Sequence, residues 1–135
     1  MPTTKELTIS LEDRPGTIGK ICRALADQKV NIVAFQSIAS EGRSLVRFVV
    51  DNSATAKRVL DNEGLSYKET DVVQAKLHHR PGELARAASR LGEADINIDY
   101  AYCGVDPSAN TPLVIFGVTD ARQAAVILDR SAAVA

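Results

Sequence analysis

Tryptophan is absent from this 135-residue chain, and aromatic residues of all kinds make up 4% of it. Proteins that read RNA on a sheet need aromatic side chains for base stacking and a basic surface. A formal net charge of −1 supplies no such surface, so no nucleic-acid partner is expected. Long apolar runs are also missing. None approaches the roughly 20 residues needed to cross a bilayer, and no membrane partner is expected. Cysteine is scarce: Cys22 and Cys103 stand alone, without ligand-like spacing. The first residues, Met1 to Glu6, lack the apolar stretch of a secretory signal. A reduced, cytoplasmic protein is the expectation. The two histidines, His78 and His79, are adjacent, and neighbours on a strand point to opposite faces, so a shared metal site is not expected. No nucleophile–base pair, metal cluster or phosphate loop can be assembled from the pattern, so the chain is expected to be no enzyme and to need no cofactor. The remainder, 45% apolar and 24% charged, has the composition of an ordinary globular protein.

What is present is a repeat. Arg14-Pro15-Gly16 returns as Arg80-Pro81-Gly82, 66 residues later, and Asn31-Ile32 returns as Asn97-Ile98 at the same offset. Over residues 11–32 against 77–98, seven of 22 positions are identical, where chance at average residue frequencies gives about one or two. Lys20/Arg86 and Ile18/Leu84 are conservative pairs. Beyond them the offset becomes 68, as at Phe48/Phe116, which places two extra residues in the second copy near Val105–Thr111. A repeat decides architecture before any other feature does.

Each copy carries the same order of elements. Leu7–Leu11 alternates apolar and polar residues, the pattern of a half-buried strand. After the Pro-Gly turn, Ile18, Ile21, Cys22 and Leu25 share one helical face, which makes Cys22 a core residue. Asn31 is read as the helix exit, since Asn tolerates left-handed backbone. Ile32–Ile38 and Leu45–Val50 are predicted strands joined by Glu41-Gly42. Asp51-Asn52-Ser53 offers caps for a second helix carrying Ala56, Val59 and Leu60, which Gly64 stops. Ser66–Asp71 is a fourth strand. The second copy offers Val72–Leu77, a helix with Leu84, Ala87, Ala88 and Leu91, strands Ile98–Cys103 and Leu113–Val118, and an Asp120-capped helix with Ala121, Ala124, Ala125 and Leu128. Its fourth strand would fall at Ala132–Ala135 and is short or absent. The fold class is α+β: two tandem ferredoxin-like βαββαβ units, residues 1–70 and 71–135, each an antiparallel sheet with helices on one face. Between Ser66 and His79 no Gly, Pro or Asn intervenes, so the fourth strand of the first copy is expected to run almost directly into the first strand of the second. With the last strand missing, Val72–Leu77 is expected to be an open edge unless something pairs with it, which favours a homodimer.

Leu11 through Ile18 with Val30-Asn31-Ile32, and Leu77 through Leu84 with Ile96-Asn97-Ile98, resemble the ACT domain, a small-molecule-sensing module of amino-acid metabolism. The resemblance covers nearly the whole chain and is to stand-alone bacterial proteins built of two such units. It implies an amino-acid effector, no catalysis, and control of an enzyme of amino-acid metabolism through a partner or through the protein's own oligomer. It also implies a site where ACT units meet, against the loop between the first strand and first helix, helped by the residue opening the second strand. Carried over, the ligand-binding candidates are Asp13, Arg14, Pro15, Gly16, Thr17, Ile18, Asn31 and Ile32 in the first copy. In the second they are His79, Arg80, Pro81, Gly82, Glu83, Leu84, Asn97 and Ile98. Family members often have Asn where Asp13 and His79 stand.

The chemistry suits that role. A helix start offers unpaired N–H groups and a positive dipole end to a carboxylate. Glycine lets a ligand approach the backbone, and proline sets the turn in advance. Asp13 is the candidate acceptor for an ammonium. The alternative is a structural or interaction subunit of an amino-acid-metabolism enzyme with no functional ligand site, in which Arg14 and Arg80 are merely solvated, Pro-Gly is turn chemistry and the asparagines are caps. Tyr100 and Tyr102 share a strand face and suit a pocket or a core equally. Because Thr17 is replaced by Glu83, which would repel a carboxylate, the first loop is expected to be the tighter site.

Overall fold

The computed structural model describes residues 2–134, with side chains through Asp129. Ten elements follow one another: β1 (Thr3–Glu12), α1 (Thr17–Asp27), β2 (Ile32–Ser40), β3 (Arg43–Val50), α2 (Ser53–Asn62), β4 (Lys68–Lys76), α3 (Glu83–Glu93), β5 (Tyr100–Asp106), β6 (Thr111–Gly117) and α4 (Ala121–Val134). Lys5–Thr70 forms one compact unit. The chain from Asp71 onward, together with the residues before Lys5, forms the other. The expected fourth strand of the first copy and first strand of the second are a single strand, β4.

In the first unit β3 lies between β1 and β2, antiparallel to both, with Phe48 opposite Leu7 on one side and Phe35 on the other. Glu41 and Gly42 join β2 to β3, both with positive φ (52° and 76°), as a two-residue type I′ hairpin requires. Helices α1 and α2 cover one face. Leu7, Ile9, Leu11, Val46 and Phe48 from the strands meet Ile21, Leu25 and Leu60 from the helices in one buried cluster. Cys22 packs on it half-buried, and burial pushes its thiol pKa up. Asn52 caps α2, its side chain accepting from the Thr55 N–H at 3.1 Å. Gly64, at φ 71°, follows the helix end.

The second unit repeats this with β6 between β4 and β5. Its core joins Val73, Ala75, Val114 and Phe116 to Ala87, Leu91, Ala124 and Leu128. Alanines at the helix contacts let α3 and α4 approach more closely than α1 and α2. The β2–β3 hairpin leaves two residues between Ser40 and Arg43, whereas the β5–β6 hairpin leaves four between Asp106 and Thr111. These are the two extra residues read from the change of offset.

That longer turn is organised by Asp106. Its buried carboxylate accepts from the Ser108 hydroxyl (2.8 Å) and N–H (3.1 Å) and pairs with Lys76 at 3.2 Å. These bonds, led by the Ser108 hydroxyl, hold its pKa below the usual carboxylate range. A carboxylate with a depressed folded-state pKa contributes stability that is full above the unfolded value and is lost as pH falls through the folded one. Asp106→Asn is therefore expected to melt lower than the parent at neutral pH, with the gap closing as pH drops below ~4. A gap that stays constant across a pH series of melting curves would refute this role.

Three expectations are corrected. Asn31 is not the left-handed helix exit: that conformation belongs to Lys29 (φ 59°), and to Asp95 (φ 60°) in the second copy. The Val30 and Ile96 N–H groups then bond back to Leu25 and Leu91, so the wrap at the helix end is set by backbone bonds and not by an asparagine side chain. The strand expected at Ile98–Cys103 starts at Tyr100, where its ladder pairing with β6 begins opposite Gly117. The last strand, expected to be short or absent, is absent over residues 132–134, which continue α4, and Ala135 lies outside the described residues. Finally, the edge of β4 is met by the chain's own start: the Gln74 N–H donates to the Pro2 carbonyl at 3.0 Å.

Among the described residues no helix is long and apolar enough to cross a membrane, and no group of His, Cys, Asp or Glu could hold a metal ion. Cys103 is exposed. Tyr102 is buried, and Tyr100 stacks beside it at 6.4 Å between ring centroids.

Candidate functional site

The two Arg-Pro-Gly turns have nearly the same backbone. Gly16 stands at φ 91°, ψ −13° and Gly82 at φ 89°, ψ −12°, each as the residue before its helix. A Cβ would meet nothing within 4 Å at either position, so the left-handed backbone, not crowding, calls for glycine. The same bonds recur: Thr17 and Glu83 N–H groups to the Arg14 and Arg80 carbonyls, and Lys20 and Arg86 N–H groups to the Gly16 and Gly82 carbonyls. Neither helix has a side-chain cap. In α1 the N–H groups of Ile18 and Gly19 therefore find no acceptor among the described residues, and the positive helix end faces outward.

The side chains on these turns diverge. In the first, the Thr17 hydroxyl turns back toward the carbonyls of Glu12 (2.9 Å) and Arg14 (3.1 Å) and ties the loop to the strand end. Arg14 pairs with Glu12 at 3.0 Å, both largely exposed. Such a pair is worth at most about 1 kcal/mol, so either partner is easily released to a ligand. In the second, Glu83 replaces Thr17 and takes the Arg80 guanidinium. That hydrogen bond from Arg80, then the charges of Arg80, Arg86 and His78, hold Glu83 below its usual range. The second loop thus carries a carboxylate in the first turn of its helix, where the dipole favours it, but that carboxylate takes Arg80 and caps no N–H of α3.

Beside the first loop lies an open cleft of about 250 Å³. Its walls are Ser10, Leu11 and Glu12 of β1, Arg14 of the loop, Thr17, Lys20 and Ile21 of α1, Arg43 of β3, and Glu63 and Leu65 beyond α2. Arg14 and Thr17, both candidates from the sequence, stand in this lining. Lys20, Arg43 and Glu63 also line it; the Lys20/Arg86 pairing is the one sequence signal for the first, and nothing in the local sequence marks the other two. Asp13, Pro15, Gly16 and Ile18 are outside the lining, although Pro15 and Gly16 shape the turn. The Asp13 carboxylate accepts a long bond from Ser44 (3.4 Å). In the second copy, His79 and Pro81 are exposed on the turn, and Leu84 is exposed on the first turn of α3.

The asparagines are elsewhere. The first loop is anchored at the Gly42–Arg43 end of β3 by the Asp13 N–H on the Gly42 carbonyl. Asn31 exchanges bonds with Asp51 at the Val50 end, where Ile32 opens β2. The eight residues of β3 between them span about 24 Å. In the second unit Leu77 bonds to Pro112, at one end of β6, while Asp99 bonds to Gly117 at the other. Asn97 donates to Asp99 at 2.9 Å and Ile98 packs into the core. Within one unit, a ligand the size of an amino acid that touches the turn cannot reach the asparagine.

This architecture is shared by known proteins. A Bacteroides thetaiotaomicron structure superposes with a TM-score of 0.84 at 23% identity, covering 95% of this chain and 88% of that one. The ligand-free regulatory subunit of aspartate kinase from Thermus thermophilus gives 0.65 at 17% identity, with 96% and 91% covered. The corresponding subunit from Thermus flavus gives 0.59 at 16%, with 97% of both covered. No curated protein matches the sequence. The family model described as an ACT domain pair matches residues 2–133. With two βαβ-built units, each opened by the same left-handed glycine turn, and that match over almost its whole length, the chain belongs to the ACT domain pair family.

Proposed function

We propose that this protein is a non-enzymatic regulator that senses an amino acid on its strand-to-helix loops and passes the bound state to a partner enzyme of amino-acid metabolism or to its own oligomer. The observation that carries the reading is the uncapped start of α1 behind Arg14-Pro15-Gly16, with two N–H groups free beside a cationic cleft. A ligand carboxylate there would cap the helix and meet the dipole. The structural likeness to regulatory subunits of aspartate kinase supports a regulatory role over a catalytic one. Binding needs only to favour one arrangement of the protein to act as a switch.

The second reading, an interaction subunit without a ligand, has one observation in its favour. The Arg80–Glu83 pair engages the second loop's charged side chains with one another. Unequal occupancy follows, with the first loop the tighter site.

A thermal-shift panel of the twenty amino acids on the full chain separates the readings. An effector at a hundredfold its Kd adds about 2.7 kcal/mol, a rise in melting temperature of roughly 10 °C. A flat panel would favour the interaction subunit.

A further inference from the structure

The charges of the first unit's cleft do not cancel. Arg14 and Glu12 neutralise one another. Lys20 and Glu63 make no side-chain hydrogen bond or ion pair among the described residues. Arg43 is held in place by Ser10, its Nε on the hydroxyl (3.1 Å) and one Nη on the carbonyl (2.9 Å), leaving the other Nη open. Two cations and one carboxylate therefore await partners around an apolar floor of Leu11, Ile21 and Leu65. The cleft is smaller than the roughly 300–1,000 Å³ of drug-sized sites, which limits the ligand to a small metabolite.

We infer that this cleft selects a dicarboxylic amino acid, a deduction resting on the amino-acid reading above. Such a ligand carries two carboxylates and one ammonium, the complement of Lys20, Arg43 and Glu63. A neutral amino acid leaves one cation unanswered, and a basic one adds a second positive group with a single carboxylate to receive it. The second unit cannot repeat the arrangement. At the repeat offsets Arg43 becomes Thr111, and Thr17 becomes Glu83, already engaged with Arg80. The selectivity thus belongs to the first unit, within residues 5–70.

Calorimetric titration of the full chain tests this. L-Glutamate or L-aspartate is expected to bind, with the matching amide, glutamine or asparagine, weaker by about tenfold or more. The matching dicarboxylate without the amine, glutarate or succinate, is expected to weaken similarly through loss of the ammonium–Glu63 contact. Lys20→Gln and Glu63→Gln are each expected to weaken the acidic amino acid about tenfold. Both residues are exposed, so the melting temperature without ligand should not move, which separates lost binding from lost folding. If a neutral amino acid binds as tightly as the acidic one, or neither variant weakens binding, the charge selection is overturned while amino-acid sensing stands. If no amino acid binds, both fall.

Discussion

Phe48→Ala is expected to lower the free energy of unfolding by about 3–5 kcal/mol. Phe48 is 1% exposed and sits on β3, the middle strand of its sheet, so it is walled in by Leu7 and Phe35 across the ladders and by the helices above. A site enclosed on every side by paired strands cannot collapse to fill the space left by a ring. The truncation then removes both the transfer free energy of the ring and the contacts of its lining. Against the 5–15 kcal/mol that holds a typical protein folded, this is a large share. Phe116→Ala should cost a similar amount, since Phe116 is equally buried on β6, the middle strand of the second unit. Urea denaturation of both variants checks the claim. Phe48→Leu serves as the control and should lose much less. A loss under 1 kcal/mol for Phe48→Ala would show that the core repacks freely.

The second large effect comes from a glycine that no turn requires. Gly117 lies on β6 directly opposite Tyr100 of β5. A Cβ there would stand 2.2 Å from the nearest carbon of the Tyr100 ring and 2.4 Å from two more. The ring lies across the glycine beside Tyr102, with 6.4 Å between ring centroids, so a Cβ at Gly117 requires the ring to move aside. Gly117→Ala is expected to destabilise by about 1–3 kcal/mol through overpacking. The cause is checked by a double-mutant cycle: in a Tyr100→Ala background the same change should cost much less. Equal costs in both backgrounds would place the strain elsewhere. This pairing also resolves the choice left open for the two tyrosines, since Tyr102 is core and Tyr100 covers the missing side chain of Gly117.

Much of the fold was legible because its determinants are local. The alternation at Leu7–Leu11 and the helical spacing of Ile18, Ile21, Cys22 and Leu25 describe which face each element buries, and the structure puts these residues in or against one cluster. The change of offset between copies located the longer β5–β6 turn. The misreadings share one cause. The residue type of Asn31 permits the left-handed conformation of a helix exit there, but does not dictate it. Lys29 adopts it because the Val30 N–H reaches back to Leu25, a backbone closure open to most residues at small strain. Edge pairing was misjudged for a similar reason: the residue that meets Gln74 is Pro2, some seventy positions earlier in the chain.

The sequence by itself determined that there are two units, that each begins with a glycine-dependent turn before a helix, and that the first turn has a threonine where the second has a glutamate. Repeats, turn chemistry and amphipathic spacing all act over a few residues. Only the tertiary structure decided what those turns face. The Gly42 contact put the first turn at one end of β3 and Asn31 at the other, so one unit alone does not bring these residues to one ligand. It also brought Lys20, Arg43 and Glu63 to one cleft. Those placements follow from strand register and helix packing between residues twenty or more positions apart, and no local pattern encodes which charge will stand opposite which.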